Sequence, residues 1–530
     1  MTPLWRNPEF IRNCRAQLRP RRLFLVASII AALSLAIGYS LYQMYYGRPD
    51  WALTLFTIAL YSQVFVLCLG GGFACMRSIA QEREQNTFDF QRVTQLSSLE
   101  LALGKLFGAP AIAYFAALCI LPATLVGAAV GGIPASRLAA ALVILLLGSI
   151  AVHALMLLVS LGSTRTSAGF TGMAAIFLLF LLLMAAGSPQ LSRTFLELGP
   201  LSPASAVEFA KTGTWNAPAL PAGRSWHAFS TSVWTDLFFG IRLHHVPVLL
   251  VLYFTFILWC LVPLVRNLKR DPALLELYSP AQSVGLLAYL DVILVGFYRL
   301  HRFDIDVLPA NFAYEHTLAE AFSFLLVANL FLLYFLGLAL LRNREQARRR
   351  AHHRADGAFA WQDAAWPSVY VLAGAACAAL LFLARFAHPG AITNDLNTNF
   401  AVFTCALLLA TVLRDLCFLQ WMNLRRSRRP LVLGVILLGV FYFCGGILLE
   451  MAKFTEPVKT AFSAIVAPWP LASAEASVQQ ACTLNPTPWF IGLAVQLALV
   501  VLFAVLHYKS TEDLRPAPIA APASAQAVGD

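Results

Sequence analysis

Charge is what this chain has least of. Only 12% of its 530 residues are Asp, Glu, Lys or Arg, against roughly a quarter in a soluble globular protein. So few hydrated side chains do not clothe a set of soluble domains, and that class is excluded. Nucleotide chemistry is missing as well. A P-loop needs G-x-x-x-x-G-K-[ST], so that glycine amides and a lysine can cradle phosphates. Gly104-Lys105 is followed by Leu106, and Leu99 stands where the first glycine belongs. No ATPase is encoded here. H-E-x-x-H and G-x-S-x-G are also absent, which removes the zinc-protease and serine-hydrolase patterns. The ten cysteines form no C-x-x-C pair. Cys68, Cys75, Cys119, Cys260, Cys377, Cys405, Cys417 and Cys444 sit in apolar segments, and Cys14 and Cys482 in polar ones. They read as small core hydrophobes, not as a disulfide or zinc framework. His244-His245 and His352-His353 are adjacent pairs. Neighbours on a helix diverge by about 100°, so neither pair points at one metal ion.

What the chain does have is long apolar runs. It is 59% hydrophobic, with a mean hydropathy of +0.70. A bilayer core of roughly 30 Å takes about 20 apolar residues of helix. That length recurs at 23–45, 52–75, 107–132, 138–162, 167–187, 246–265, 284–300, 319–341, 368–387, 399–424, 431–451 and 490–508. A transmembrane barrel would show shorter, alternating segments. The expectation is an all-α polytopic membrane protein of about twelve transmembrane helices. Six arginines precede Leu23. This basic start is like a signal peptide's, but the apolar part is long and no small-x-small site follows, so it reads as an uncleaved first span.

The net charge of +11 is better explained by topology than by nucleic acid. Short cytoplasmic loops collect Lys and Arg, and with the N-terminus inside, about 26 of the 38 fall on that side. "VRNLKRD", "RNREQARRRAHHR" and "LRRSRRP" all become cytoplasmic, as do both termini. The segment 284–300 is short and carries Asp291, yet dropping it would move the cluster from Arg342 to Arg354 outside. Two longer loops lie on the other side, 188–245, with Trp215, Trp226 and Trp234, and 452–489. They share related phrases, "PLSPASAVEF" and "WPLASAEASV". The basic turns "LGSTRTSAG" and "LRRSRRPLV" also correspond in order. This order suggests an internal duplication, two six-helix halves in parallel orientation. The domains are then 1–22, a basic cytoplasmic segment; 23–275, a first half; 276–510, a divergent second half; and 511–530, a Pro- and Ala-rich disordered tail.

Between the second and third spans stands "SIAQEREQNTFDFQRVTQLSSLELALGKLFG", Ser78–Gly108. It carries seven charged side chains, Glu82, Arg83, Glu84, Asp89, Arg92, Glu100 and Lys105, far more than a plain connection needs. Thr87 can cap a short helix, "FDFQRVTQL". Ser97 and Glu100 fit S-x-x-E, in which a hydroxyl accepts from the N3 amide while the carboxylate reaches back to the cap amide. The spacing predicts a helix–break–helix hairpin, 78–106, at the membrane surface.

This phrase resembles the signature of type-2 ABC exporter permeases: an acidic E-R-E segment, a Thr/Phe helix, then LSS-LE-L-LGK entering the third span. "NPEFIRNCRAQLRPRR" is similar to the family's connecting helix before span one, and "PLSPASAVEF" looks like its segment after span five. The resemblance is specific over 7–275 and faint over 276–530. It implies a coupling hairpin that docks on a separate ATP-binding subunit, in two copies, where ATP and Mg would lie. Glu82, Arg83 and Glu84 would face that subunit, with Thr87 in the same element. Ser97 and Glu100 would hold its fold, and Lys105 would snorkel at the lipid headgroups. In the second half, "REQARRRAHHRADGAFAWQDAAWPS" has no such cap and is far more basic, which puts docking there in doubt.

Ionisable groups at membrane depth cost several kcal/mol unless paired or hydrated. His153, Asp291, Arg414 and Asp415 are such groups. They read either as a proton or substrate path or as contacts between helices. Small-residue runs, Gly70–Gly72, Gly127-x-x-x-Gly131 and Gly445-Gly446, read as close helix packing. The leading expectation is the permease subunit of an exporter in a bacterial inner membrane, with membrane lipids and accessory proteins around it, no cofactor of its own and no covalent chemistry. Against it stand a membrane enzyme acting on a lipid-linked substrate through His227, Asp236, His244 and His245, and a non-transporting assembly or sensor protein that kept the fold.

Overall fold

The computed structural model describes residues 3–45, 50–89, 93–162, 202–212, 235–238, 241–270, 277–297, 397–426, 430–451, 455–466 and 476–513, with isolated positions between 326 and 374. The chain divides into two compact units, one of Met1–Leu277 with Phe297–Val307 and one of Tyr278–Gly296 with Leu308–Asp530.

The first unit opens with α1, Pro8–Gln17, and α2, Pro20–Met44. Both begin with proline in the first helical turn, where its missing N–H costs nothing. Next come α3, Asp50–Phe65, a π-helical segment, Val66–Gly71, and α4, Gly72–Glu84. Then follow α5, Ser98–Gly108, α6, Ala111–Val130, α7, Ala135–Gly162, and the short α8, Ser205–Thr212. Strands β1, Thr235–Phe238, and β2, Ile241–His244, form one antiparallel hairpin, an element the apolar pattern did not announce. α9, His245–Asn267, closes the unit. In the second unit lie α10, Pro280–Phe297, α11, Thr398–Asn423, and α12, Pro430–Met451. They are joined by α13, Glu456–Val466, α14, Ala476–Leu484, and α15, Thr487–Glu512.

Eight helices among the described residues are long and apolar enough to cross a membrane: Pro20–Met44, Asp50–Glu84, Ser98–Val130, Ala135–Leu161, Val246–Asn267, Asn399–Asn423, Pro430–Leu449 and Thr487–Thr511. The chain is thus a polytopic helical membrane protein, and eight of the twelve expected segments have a helix of spanning length. The segment 284–300 coincides with α10, of 18 residues, and its last three residues, 298–300, lie outside the described ones. The segment 167–187 lies outside the described residues, as do most of 319–341 and all but one residue of 368–387. The twelve-helix arrangement is therefore not what the described helices show.

Two runs are too long for a bilayer. Asp50–Glu84 has 35 residues and Ser98–Val130 has 33, roughly 50 Å each against a core of roughly 30 Å. Their adjoining ends, α4 and α5, therefore project beyond the hydrocarbon and carry the hairpin between them.

The core of the first unit gathers Phe56, Leu60, Ile79, Leu101, Ile144 and Leu264. Lipid gives helices no hydrophobic reason to associate, so close approach of small residues takes over. α3 and α6 pack against each other, and Ala52, Ala59, Ala113 and Ala117 on them are all buried. At Gly127 an added β-carbon would stand 2.7 Å from the Phe56 amide nitrogen and 2.9 Å from the Ala52 carbonyl oxygen. Gln63 Nε2 donates across the same seam to the Ala117 carbonyl at 3.0 Å. In the second unit α11 packs on α12 and α15, with Phe400, Leu407, Ala464 and Trp489 at its core.

Gly127→Leu should push α6 off α3 and cost about 1–3 kcal/mol or more through overpacking. Gly439→Leu, at a position where an added β-carbon meets nothing within 4 Å, should leave the protein unchanged. Thermal unfolding in detergent compares the two.

Candidate functional site

The hairpin expected at 78–106 is built largely as its spacing demands. α4 ends at Glu84, and Asn86 takes a positive φ of 56°. Asparagine tolerates the left-handed region because its short amide bonds locally. The chain re-enters helix at α5 through the capping box. Ser97 Oγ accepts from the Glu100 amide at 3.2 Å, and Glu100 Oε2 accepts from the Ser97 amide at 3.0 Å. Thr87 stands directly before a helical stretch that begins at Phe88. Its hydroxyl donates to the Glu82 carbonyl at 3.2 Å, closing the turn after α4. Part of that short helix, 90–92, lies outside the described residues.

Beneath the turn is a cluster of charge, buried except for Arg12, whose side chain is 48% exposed. Lys105 is fully buried, and its Nζ donates to Glu9 Oε1 at 2.9 Å and to Glu82 Oε2 at 2.5 Å. Arg12 Nη2 donates to Glu9 Oε1 at 2.8 Å and also to Glu82 Oε1. Asn13 Nδ2 adds a third donor to Glu9 Oε1 at 3.0 Å. Two carboxylates and two cations cancel, which is the condition for taking charge out of water. This corrects two expectations. Lys105 does not reach the headgroups, because two carboxylates hold it inside. Glu82 does not face outward, because Lys105 and Arg12 hold it inward, only 9% exposed.

The partners come from α1, which lies along α5. Asn7 caps α1 by accepting from the Glu9 and Phe10 amides, while its Nδ2 donates to the Glu100 carbonyl at 2.7 Å. Gln17 bonds the far end of the helix, donating to the Ala109 carbonyl and accepting from the Ile112 amide. The approach is close because Gly104 has no side chain: an added β-carbon would stand 2.8 Å from Glu9 Cβ. Other bonds fix the rest of the hairpin. Arg83 Nη1 donates to the Leu161 carbonyl at 2.8 Å and its guanidinium lies over the Phe88 ring. Lys269 Nζ donates to the Thr94 carbonyl at 2.8 Å. The exposed residues of the turn include Glu84, Gln85, Asn86, Thr87, Asp89 and Val93, the last 79% exposed.

Of the residues expected at membrane depth, His153 is fully buried in the first unit. Its Nε2 lies 2.8 Å from the Leu67 carbonyl and its Nδ1 3.0 Å from the Tyr114 hydroxyl. A carbonyl only accepts, so Nε2 carries the proton and Nδ1 accepts from Tyr114. Leu67 belongs to the π segment, where the helical ladder is displaced and a carbonyl is left for such a partner. In the second unit, Arg414 donates from Nε to Asp415 Oδ1 at 2.8 Å, from Nη1 to Gln496 Oε1 at 2.9 Å and to the Ile465 carbonyl at 3.0 Å. Its Nη2 donates to the Tyr442 hydroxyl at 2.6 Å. Asp415 Oδ2 accepts from Tyr334 at 2.6 Å and Tyr442 at 2.5 Å. This is the reading as contacts between helices, tying α11 to α12, α13 and α15. Asp291 is bonded by Asn329 Nδ2 at 2.9 Å.

Sequence reading missed Asn7, Glu9, Arg12 and Gln17 as partners of the hairpin. One signal was available: Glu9 is the single acid among six arginines in the first 22 residues. Tyr334, Tyr442, Gln496 and Asn329 gave no signal, being polar residues scattered through apolar runs. Among the described residues no group of three or more His, Cys, Asp and Glu can hold a metal ion.

Burial pushes the Glu9 carboxyl up, but Lys105 and Arg12 beside it more than reverse this and hold it below its ordinary value of 4.5. A depressed carboxylate contributes stability that is present above its unfolded value and lost as pH falls through its folded one. Exchange of the α1 amides should therefore rise below about pH 4.5, and Glu9→Gln should abolish that acid-dependent part. Lys105→Met leaves two buried carboxylates facing each other with Arg12 alone. It should cost about 3–5 kcal/mol, read by thermal unfolding in detergent.

No family model, no curated protein and no solved structure matches this chain.

Proposed function

We propose that the chain is the membrane-spanning permease subunit of an ABC-type exporter. A separate ATP-hydrolysing subunit, in two copies, docks on the hairpin between α4 and α5. The hairpin and both termini then lie in the cytoplasm, the membrane is a bacterial inner membrane, and two six-span halves form the translocation unit. ATP and Mg belong to the partner, and the permease does no covalent chemistry.

The observation that supports this most is the construction of the hairpin. A lever must be stiff where it meets the membrane and sticky where it meets its motor. The stiff part is the capping box with the Glu9–Arg12–Glu82–Lys105 cluster, which makes α1, α4 and α5 one body. The sticky part is the turn, where Glu84, Asp89 and Val93 are all exposed. An apolar contact with a polar rim is the usual make-up of a protein interface. ATP-driven closure of the partner would pull this body and, through α5 and the turn at Ala109-Pro110 that joins it to α6, move the spans. The type-2 exporter resemblance of the same residues is the second support.

Affinity purification from native membranes, followed by ATP photolabelling and an ATPase assay of the eluate, tests the reading. A stoichiometric ATP-binding subunit is expected, with its recovery falling several-fold in Glu84→Lys and Asp89→Lys, whose folding should match wild type. A single chain with no associated ATP hydrolysis, or recovery indifferent to both reversals, contradicts it.

A further inference from the structure

The second unit buries two aspartates, and they are treated in opposite ways. Asp415 is 0% exposed and has a guanidinium and two tyrosine hydroxyls on its carboxylate. Asp291 is also 0% exposed. Its recorded partner is one neutral amide, Asn329 Nδ2, which donates to Oδ1 at 2.9 Å. Asp291 Oδ2 is buried with no hydrogen-bond partner, and so is Oδ1 of the same Asn329. Asn329 itself is only 7% exposed.

Both orphans are acceptors, and they belong to the two groups that already touch. Two lone-pair oxygens left bare in an apolar interior cost the desolvation of each. A bare carboxylate there costs several kcal/mol more, and such a group neutralises instead. One added proton removes all three penalties. On Asp291 Oδ2 it makes a carboxylic acid, which donates from that oxygen to Asn329 Oδ1. The existing N–H···O bond then gains an antiparallel O–H···O partner, and acid and amide close into a two-bond ring. A metal ion fits poorly. Ions that bind oxygen ask for six or more ligands, and here the amide nitrogen already occupies one edge of the pair.

We propose that Asp291 and Asn329 form a proton-binding site in the second unit, with the proton held on Asp291 Oδ2 and shared with Asn329 Oδ1. The surroundings agree. Among the described residues of this unit, Tyr334, Arg414, Asp415 and Tyr442 bond one another and not Asp291, and Tyr278, Cys417 and Cys482 are also buried. Tyr289 lies two residues away on α10, and residues so spaced do not face each other. Leu287 and Leu333, four residues from Asp291 and Asn329 along the chain, pack around Gly374. Loading is a plain protonation, carboxylate plus proton giving acid, with no other reactant. Because the bound proton is what satisfies the pair, the contact between α10 and the Asn329 segment holds at low pH and loosens as pH rises through the point where Asp291 ionises. The site is independent of the exporter reading and could be lost without touching it.

Infrared difference spectroscopy of the full chain in lipid, perfused between neutral and alkaline pH, is the test. The carbonyl stretch of a protonated carboxylic acid should be present at neutral pH, disappear on the alkaline side, and be missing from Asp291→Asn. Asparagine supplies the same donor and acceptor as the acid, so Asp291→Asn should unfold at the wild-type temperature. Asn329→Leu covers the case where that variant fails to fold: its acid band should persist but shift to higher frequency, having lost its acceptor. A wild-type spectrum identical to that of Asp291→Asn, or a band unmoved by Asn329→Leu, would overturn the proposal. So would stabilisation by sodium at constant pH, since a cation would then fill the place given to the proton.

Discussion

The first unit depends on a lysine that cannot reach water. Lys105 sits fully buried at the foot of the third span, and an unpaired ammonium there would cost several kcal/mol. Glu82 and Glu9 remove that cost, and they arrive on two different elements. One is the end of α4, the other is α1, which runs before the first span. The same charge therefore determines where α4 may end and where α1 must lie. Arg12 completes the neutralisation and Gly104 makes the room. Removing Lys105 or either carboxylate leaves buried charge unbalanced, so the cluster acts as a lock more than as a source of net stability.

The second unit solves the same problem twice. Around Arg414 the donors and acceptors are matched, and three helices besides α11 are tied through one guanidinium. Gln496 Nε2 donates to the Ala464 and Ile465 carbonyls at 3.0 and 2.7 Å. These are end carbonyls of α13, where a helix presents negative charge, and Arg414 joins them at Ile465. Around Asp291 the matching is incomplete by one proton. A membrane interior tolerates either arrangement, but only the second leaves the protein able to respond to its surroundings.

Length and composition made the spans legible, because a bilayer imposes a minimum run that few other constraints imitate. Eight expected segments became long apolar helices among the described residues. The capping box was legible because Ser97 and Glu100 are three residues apart and their geometry is local. The charge cluster was not. Lys105 meets Glu9 across 96 residues and Glu82 across 23, and no local pattern encodes such a pairing. Reading Lys105 and Glu82 singly gave each a surface role, the default for charged side chains. Burial reversed both. The hydrogen bond from Thr87 to the Glu82 carbonyl was hidden for a related reason, since a threonine hydroxyl serves a cap or a turn equally well.

If one lock joins α1 to the hairpin, a spin label at Ala16 and another at Gln85, both exposed positions, should report it directly. Pulsed electron resonance on the wild-type background is expected to give one narrow distance distribution, and Lys105→Met a broad one, with the spans still folded. A distribution that stays narrow without Lys105 would contradict the lock and leave the hairpin without its stiff base.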